Sequence, residues 1–135
     1  MVLMNSKKYV LDNKALEDLG NHPEFGLKME RILDPINNFL FVTSETKYEI
    51  EKNGYIFSDI LAMAQKHISG KIHYIELSNV DRENAVFIKR GLKEVHRSDD
   101  VILAFCLTNN YVMASPDIDL KETCEKVGCK LELIN

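Results

Sequence analysis

Five short segments with the character of strands, separated by segments of helical character, constrain the fold of this chain most strongly. Residues 9–11, 39–42 and 111–114 are apolar runs, residues 72–77 alternate apolar and polar side chains, and residues 131–134 close the chain. They are too short to be core helices, whereas the segments between them repeat apolar residues at roughly helical spacing. Alternating strands and helices predict an α/β domain, in which a mostly parallel sheet is covered by helices on both faces.

Proline, glycine and hydroxyl residues predict where the helices begin and end. We expect Gly20 to stop the first helix and Pro23 to open the second, because glycine ends helices and proline fits their first turn. Near the end of the chain, Ser115 is expected to be the N-cap of the last helix, with Pro116 as its first residue. Gly128 would end that helix.

A further helix is expected over residues 99–109, with Ser98 as its N-cap.

The composition indicates one ordinary globular domain that spans residues 1–135. Of these residues 45% are hydrophobic and 28% are charged, which suffices for a core. The net charge of −4 argues against nucleic-acid binding through bulk electrostatics, although a local basic patch would still allow it. Three cysteines without a metal-ligand pattern, and no segment typical of a signal peptide or membrane span, lead us to expect a cytoplasmic protein without a membrane partner.

Acidic residues stand at several points where the chain passes into a helix. Asp12 and Asp117 each follow an apolar run, Asp99 and Asp100 open a helix, and Glu49 lies one turn into another. In an open parallel sheet the carboxyl ends of the strands share one edge, where ligands bind. We therefore expect these carboxylates to meet in one pocket.

Such a cluster needs protons or a cation. Two unit charges about 5 Å apart repel by roughly 3 kcal/mol at an effective dielectric constant near 20. Hard divalent cations prefer carboxylate and water oxygens, and Mg²⁺ keeps several of its waters when bound. The sequence therefore predicts a divalent-metal site.

Each acid also has a purely structural interpretation. An aspartate at a helix start accepts hydrogen bonds from unpaired backbone N–H groups and complements the helix dipole. Glu49 could lie on a solvated helix face, between Glu45 and Lys52. Only the joint placement of the acids at one sheet edge favours the metal site.

Four segments resemble, in order and spacing, the motifs of PIN-domain ribonucleases. They are VLDNKAL (residues 10–16), VTSETKYEI (42–50), DVILA (100–104) and VMASPDIDL (112–120), and the resemblance covers about residues 7–134. It implies a three-layer α/β/α sandwich with a five-stranded sheet, and cleavage of single-stranded RNA with Mg²⁺ or Mn²⁺.

The resemblance also implies which residues would act. The catalytic and metal-binding residues would be Asp12, Glu49, Asp100 and Asp117. Asp100 is preferred to Asp99 because DVILA matches the register of the family's helix, and Asp99 is kept as the alternative. Asp119 is a weaker candidate, expected to support the site from outside the direct ligands.

Lys14 departs from the family pattern, which usually has a small hydroxyl residue two positions after the first aspartate. A lysine there could pair with the carboxylates, compete with a metal ion or contact an RNA phosphate. Arg90, Lys93 and Arg97 lie in a basic segment just before Asp99. We expect them to contact RNA phosphates together with Lys14, the alternative being a solvated helix end.

Two functions from different classes remain. The first is a Mg²⁺- or Mn²⁺-dependent endoribonuclease, either the VapC-type toxin of a toxin–antitoxin pair or an RNA-processing enzyme. The second is a catalytically silent PIN-like domain that binds RNA or a protein partner, with Lys14 in place of the metal's charge. Besides RNA, the resemblance implies an antitoxin protein and a second copy of the chain as candidate partners.

Overall fold

A parallel sheet of five strands forms the central layer of the protein. The computed structural model describes residues 6–91 and 97–135, with side chains omitted at 87–91 and 97–98. The strands are β1 (Lys8–Leu11), β2 (Phe39–Thr43), β3 (Ile72–Ile75), β4 (Val112–Ser115) and β5 (Leu131–Leu133). Their order is β3-β2-β1-β4-β5, and every neighbouring pair is parallel. The predicted α/β class and five-stranded sheet are confirmed.

Helices connect the strands and cover both faces of the sheet. Within the described residues they are α1 (Asn13–Asn21), α2 (Pro23–Leu33), α3 (Ser44–Lys52), α4 (Phe57–Gln65), α5 (Asn79–Gly91), α6 (Arg97–Asn109) and α7 (Leu120–Val127). None of these helices is long and apolar enough to cross a membrane.

Two apolar layers hold the helices against the sheet. Side chains alternate along a strand, so Tyr9 and Leu11 of β1 pack with α1 to α4 on one face. Val10 packs with α5, α6 and α7 on the other face. Tyr9, Val10 and Leu11 are each at most 2% exposed, as expected for a parallel strand covered on both sides. The result is the predicted three-layer sandwich.

Several helix boundaries agree with the expectation and one does not. Pro23 opens α2, and Gly128 ends α7 with a φ of 78°. Gly20 does not stop the first helix, because α1 continues to Asn21 and Gly20 is buried within it. A Cβ at Gly20 would lie 3.8 Å from the Met63 Cβ, so this glycine stands at the contact between α1 and α4.

The helix expected over residues 99–109 is present as α6, and the last helix begins at another residue than predicted. Within the described residues α6 covers Arg97–Asn109, so Ser98 lies inside it and is not its N-cap. Helix α7 begins at Leu120 instead of Pro116, because Ser115 is still in β4 and a turn over residues 118–119 intervenes. Ser115 is therefore not a helix N-cap, and its hydroxyl group has another partner.

Candidate metal centre

A cleft of about 360 Å³ lies at the carboxyl-terminal edge of the sheet. It is lined by Asp12, Asn13, Lys14, Glu17, Glu49, Asp99 and Asp117. Asp12 follows β1, and Asp117 follows β4 by two residues, so the parallel pairing of β1 with β4 brings them to the same edge. We call this region the acidic cleft. Five carboxylates and one ammonium group line it.

Asp12 is the most buried acid of the acidic cleft, with 3% of its surface exposed. It is the N-cap of α1, and its Oδ1 accepts a hydrogen bond from the Ala15 N–H at 2.8 Å. Its Oδ2 accepts a hydrogen bond from the Ser115 hydroxyl of β4. Both carboxylate oxygens are thus fixed by the protein before any ligand arrives. Asp12 therefore caps α1 and also lines the acidic cleft.

The surroundings of Asp12 oppose its negative charge. The pKa of Asp12 is raised from 3.8 to about 7, mainly by burial and also by the nearby charges of Asp99 and Asp117. The hydrogen bonds from Ser115 and Ala15 lower the pKa, but they do not compensate for the loss of water. At neutral pH this carboxyl group is therefore close to the point where a proton or a cation must balance its charge.

Ser115 connects Asp12 to the segment that carries Asp117. While its hydroxyl donates to Asp12, its oxygen accepts a hydrogen bond from the Asp117 N–H at 3.0 Å. Asp117 then turns the chain, since its Oδ1 accepts from the Asp119 N–H at 3.0 Å. Asp119 itself is exposed and does not line the acidic cleft. Sequence analysis missed this role of Ser115, because the partner is 103 residues away.

Two adjacent acids of α6 have different surroundings. Asp99 lines the acidic cleft and contributes to the pKa shift of Asp12. Asp100 is 3% exposed and is not among the lining residues. Of the residues selected from the sequence, Asp12, Glu49, Asp117 and the alternative Asp99 therefore line the acidic cleft, and Asp100 is buried without lining it. Successive residues of a helix are about 100° apart around the axis, so the two neighbours have different surroundings.

Helix α1 contributes three further residues to the acidic cleft. Lys14 is exposed on its wall, where an ammonium group can approach either the carboxylates or a bound phosphate. Asn13 and Glu17 also line the cleft, and sequence analysis did not select them. The available signal was their spacing of four residues, which places two side chains on the same helix face.

The donor chemistry of the acidic cleft fits a hard, hydrated cation. Carboxylate oxygens are the preferred protein ligands of Mg²⁺ and Mn²⁺. Within residues 6–91 and 97–135, however, no three His, Cys, Asp or Glu side chains are placed to hold one metal ion together. Mg²⁺ usually binds proteins through one or two carboxylates and keeps several of its waters.

The predicted RNA-contacting cations other than Lys14 cannot be placed. Lys93 lies outside the described residues, and so do the side chains of Arg90 and Arg97.

Comparison with solved structures places the fold among known proteins. A VapBC2 structure from Rickettsia felis, bound to a DNA fragment from its promoter, matches with a TM-score of 0.71 and 15% identity, over 95% of this chain and 99% of that chain. DNA-bound VapBC from Salmonella typhimurium matches with a TM-score of 0.66 and 16% identity, over 96% and 99%. VapBC-1 from nontypeable Haemophilus influenzae matches with a TM-score of 0.62 and 15% identity, over 93% and 97%.

No protein-family model and no curated protein sequence matches the chain. At 15–16% identity the solved structures share its fold over nearly its whole length. Together with the five-stranded parallel sheet and the order of the acidic motifs, this agreement identifies the architecture: the chain has the PIN-domain fold.

Proposed function

We propose that this protein is a divalent-metal-dependent endoribonuclease that cleaves single-stranded RNA as the toxin of a toxin–antitoxin pair. The observation that carries the proposal is the acidic cleft, where Asp12, Glu49, Asp99 and Asp117 come from different parts of the chain to one sheet edge. In folds of this kind, ligands bind in the crevice at the carboxyl ends of the strands.

The surroundings of Asp12 favour cation binding over a purely structural role. A residue that only capped α1 would need just one oxygen that accepts from the N–H groups of the first turn. Here Asp99 and Asp117 add negative charge next to a carboxyl group whose pKa burial has already raised. A divalent cation would remove this repulsion, which is a stabilisation that the acidic cleft lacks without one.

The residues of the acidic cleft have distinct parts in the proposed reaction. A bound Mg²⁺ or Mn²⁺ would supply an activated water and offset the charge on the phosphate. Asp12 would be the best ordered ligand, because the Ala15 N–H and Ser115 hydroxyl orient it. Asp99 and Asp117 would bind the ion or its waters, and the half-buried Glu49 would orient a water. Lys14 would contact the phosphate.

The assignment as a toxin is supported by the solved structures with the same fold. All three are described as VapBC assemblies, and two of them are bound to DNA. For this chain we accordingly propose a protein antitoxin as a partner and a dimer of the toxin as its assembly. An RNA-processing enzyme with the same cleft would lack the antitoxin, so a copurifying partner protein distinguishes the two roles.

A catalytically silent domain is the competing proposal, and two observations favour it. Lys14 brings a positive charge to the acidic cleft, while no three potential ligands in the described part of the chain are placed around one ion. In that case the ammonium group would replace the metal's charge, and the protein would bind RNA or a partner without cleaving RNA.

Cleavage of a mixed panel of single-stranded RNAs distinguishes these proposals. We expect cleavage in Mn²⁺ that a chelator abolishes. Binding of RNA without cleavage at any tested concentration of Mg²⁺ or Mn²⁺ would instead support the silent domain. The Asp12→Asn variant provides the matched control, since an asparagine can keep the hydrogen bond from the Ala15 N–H but removes the charge.

A further inference from the structure

A second cleft, of about 510 Å³, lies at the opposite edge of the sheet from the acidic cleft. Its lining includes Lys7, Lys8 and Lys130, and Glu132 is the one acid among its lining residues. We call it the lysine cleft. All three lysine side chains are exposed, in a protein whose net charge is −4.

The strand order explains why these lysines meet. Lys8 begins β1, Lys130 immediately precedes β5, and the lining residue Val112 begins β4. In the parallel sheet β1, β4 and β5 are neighbours, so their amino-terminal ends share one edge. A four-residue strand spans about 13 Å, so the lysine cleft and the acidic cleft are separated by at least the length of a strand.

The position of Lys8 is fixed by aromatic packing. Its ammonium group lies 5.2 Å from the ring centroid of Tyr111, within the range of a cation–π contact. The Tyr111 ring in turn packs against Phe41 and Phe105, with centroid distances of 5.4 and 5.1 Å. Lys8 is thus ordered by the apolar layer beneath it, which lowers the entropy lost when an anion binds.

The lysine cleft also has polar groups that a ligand could satisfy. The Ser6 hydroxyl oxygen is buried and has no hydrogen-bond partner within the described part of the chain. Among the ion pairs formed by described residues, none includes Lys7, Lys8 or Lys130. Buried polar groups normally have partners, so this edge presents both a hydroxyl group and positive charge to an incoming anion.

We propose that the lysine cleft binds the phosphate backbone of single-stranded RNA at a distance from the acidic cleft. This inference rests on the proposed function. Five carboxylates in the acidic cleft repel RNA phosphates, so cations outside this cleft are needed for RNA affinity in addition to Lys14. Only an RNA that extends several nucleotides beyond the acidic cleft could reach the lysine cleft, so binding should depend on RNA length.

Anisotropy of fluorescent single-stranded RNA, measured in chelator over a range of salt concentrations, tests the proposal. The triple variant Lys7→Gln, Lys8→Gln and Lys130→Gln should bind a long RNA at least about tenfold more weakly than the wild type. Loss of three phosphate contacts should also reduce the slope of log affinity against log salt concentration by about 2, at about 0.7 per contact for single strands. A short oligonucleotide should show a smaller difference.

The matched control removes the same charge from other exposed lysines. The variant Lys28→Gln, Lys66→Gln and Lys126→Gln should keep the wild-type slope, since these residues lie outside the lysine cleft. Substituting arginine at positions 7, 8 and 130 keeps the charge and should also preserve the slope. If the triple glutamine variant does not fold, Lys130→Gln alone should reduce the slope by about 0.7.

Equal affinities and slopes in both glutamine variants would overturn the proposal. The proposed function is assessed separately by RNA cleavage of the wild type in Mn²⁺. Cleavage together with unchanged slopes would reject RNA binding at the lysine cleft and retain the proposal that the protein is a nuclease. Absence of cleavage, with slopes that still depend on the three lysines, would reject the nuclease and retain the RNA site.

Discussion

The Ser115 hydroxyl joins two parts of the acidic cleft that are far apart in the sequence. It donates to the Asp12 carboxylate and accepts from the Asp117 N–H, while the Ser115 side chain is completely buried. A hydroxyl group is suited to this position because it donates and accepts at the same time. One residue thereby fixes both the orientation of Asp12 and the start of the turn at Asp117.

Replacing Ser115 with alanine should lower the free energy of unfolding by about 1–3 kcal/mol, the usual cost of leaving buried polar groups without partners. It should also raise the pKa of Asp12, because the lost hydrogen bond lowers that pKa in the wild type. Urea unfolding in chelator measures the first effect. The exposed Ser58 is the matched control, and Ser58→Ala should change stability by less than about 0.5 kcal/mol. Equal effects of the two substitutions would contradict this role of Ser115.

The Asp12 carboxyl group stabilises the folded protein at low pH and loses this effect as the pH rises. Its folded pKa of about 7 lies above the ordinary value of 3.8, so the folded protein holds the proton more tightly than the unfolded chain does. The resulting stabilisation is complete below about pH 4 and is lost as the pH rises through about 7.

The Asp12→Asn variant should therefore match the wild type near pH 4 and exceed its stability above pH 7. At about 1.4 kcal/mol per unit of pKa, the difference could reach about 4 kcal/mol. Chemical unfolding of both proteins across this pH range, in chelator, provides the measurement. Two parallel stability curves would show that the Asp12 carboxyl group has no raised pKa.

Lys14 is the residue most able to change the metal affinity of the acidic cleft. If its ammonium group pairs with the carboxylates, a divalent cation must displace it, so Lys14→Ser should lower the Mn²⁺ concentration for half-maximal cleavage. Lys14→Arg keeps the charge and serves as the control. Tighter Mn²⁺ binding by calorimetry together with weaker RNA binding would identify Lys14 as a phosphate contact. No change in either titration would make it a surface residue.

At the scale of elements, two glycines in neighbouring helices differ in the space around them. A Cβ at Gly26 of α2 would lie 2.2 Å from the His67 backbone oxygen, which is far inside contact distance. A Cβ at Gly20 of α1 would meet its nearest neighbours at 3.7–3.9 Å, an ordinary packing distance. Gly26 is therefore required by the close approach of the chain after α4, whereas Gly20 is not.

This difference predicts opposite effects of two alanine substitutions. Gly26→Ala should destabilise the protein by about 1–3 kcal/mol or more, as overpacking does. Gly20→Ala should be neutral or stabilise the protein by up to about 1 kcal/mol, because alanine favours a helix over glycine. Thermal unfolding of both variants measures these effects. A similar loss of stability in both would show that the spacing around these helices is not as described.

Much of the fold could be predicted because local residues determine it. The apolar runs became strands, Pro23 opened α2, and Gly128 ended α7 with a positive φ. Gly20 could not be predicted in the same way, since packing against α4 lets α1 continue through it. The start of α7 was also beyond a local prediction. Ser115 is bound by a carboxylate from the other end of the chain, so it cannot cap the helix.

The sequence was sufficient to predict at which edge of the sheet the candidate site lies. Asp12 and Asp117 meet because the strands that precede them are parallel neighbours. Which of Asp99 and Asp100 lines the acidic cleft depends on how α6 is rotated about its axis against the sheet. Packing sets this rotation, and the residue pattern does not show it.

For the whole molecule, the parallel sheet separates two kinds of charge. Carboxylates gather in the acidic cleft at the carboxyl-terminal edge, whereas three lysines gather at the amino-terminal edge. A net charge of −4 conceals this separation, because it sums both edges. We therefore assign cation-dependent chemistry to the carboxyl-terminal edge and electrostatic RNA binding to the amino-terminal edge.

RNA cleavage in Mn²⁺ by the wild type, Asp99→Asn and Asp100→Asn tests whether the acidic cleft is the site of metal-dependent cleavage. The two substitutions are chemically identical and adjacent, but only Asp99 lines the acidic cleft. We expect Mn²⁺-dependent cleavage by the wild type, reduced about 100-fold or more by Asp99→Asn and clearly less by Asp100→Asn, with both variants folded. An equal or larger loss in Asp100→Asn, or wild-type cleavage that continues in chelator, would contradict it.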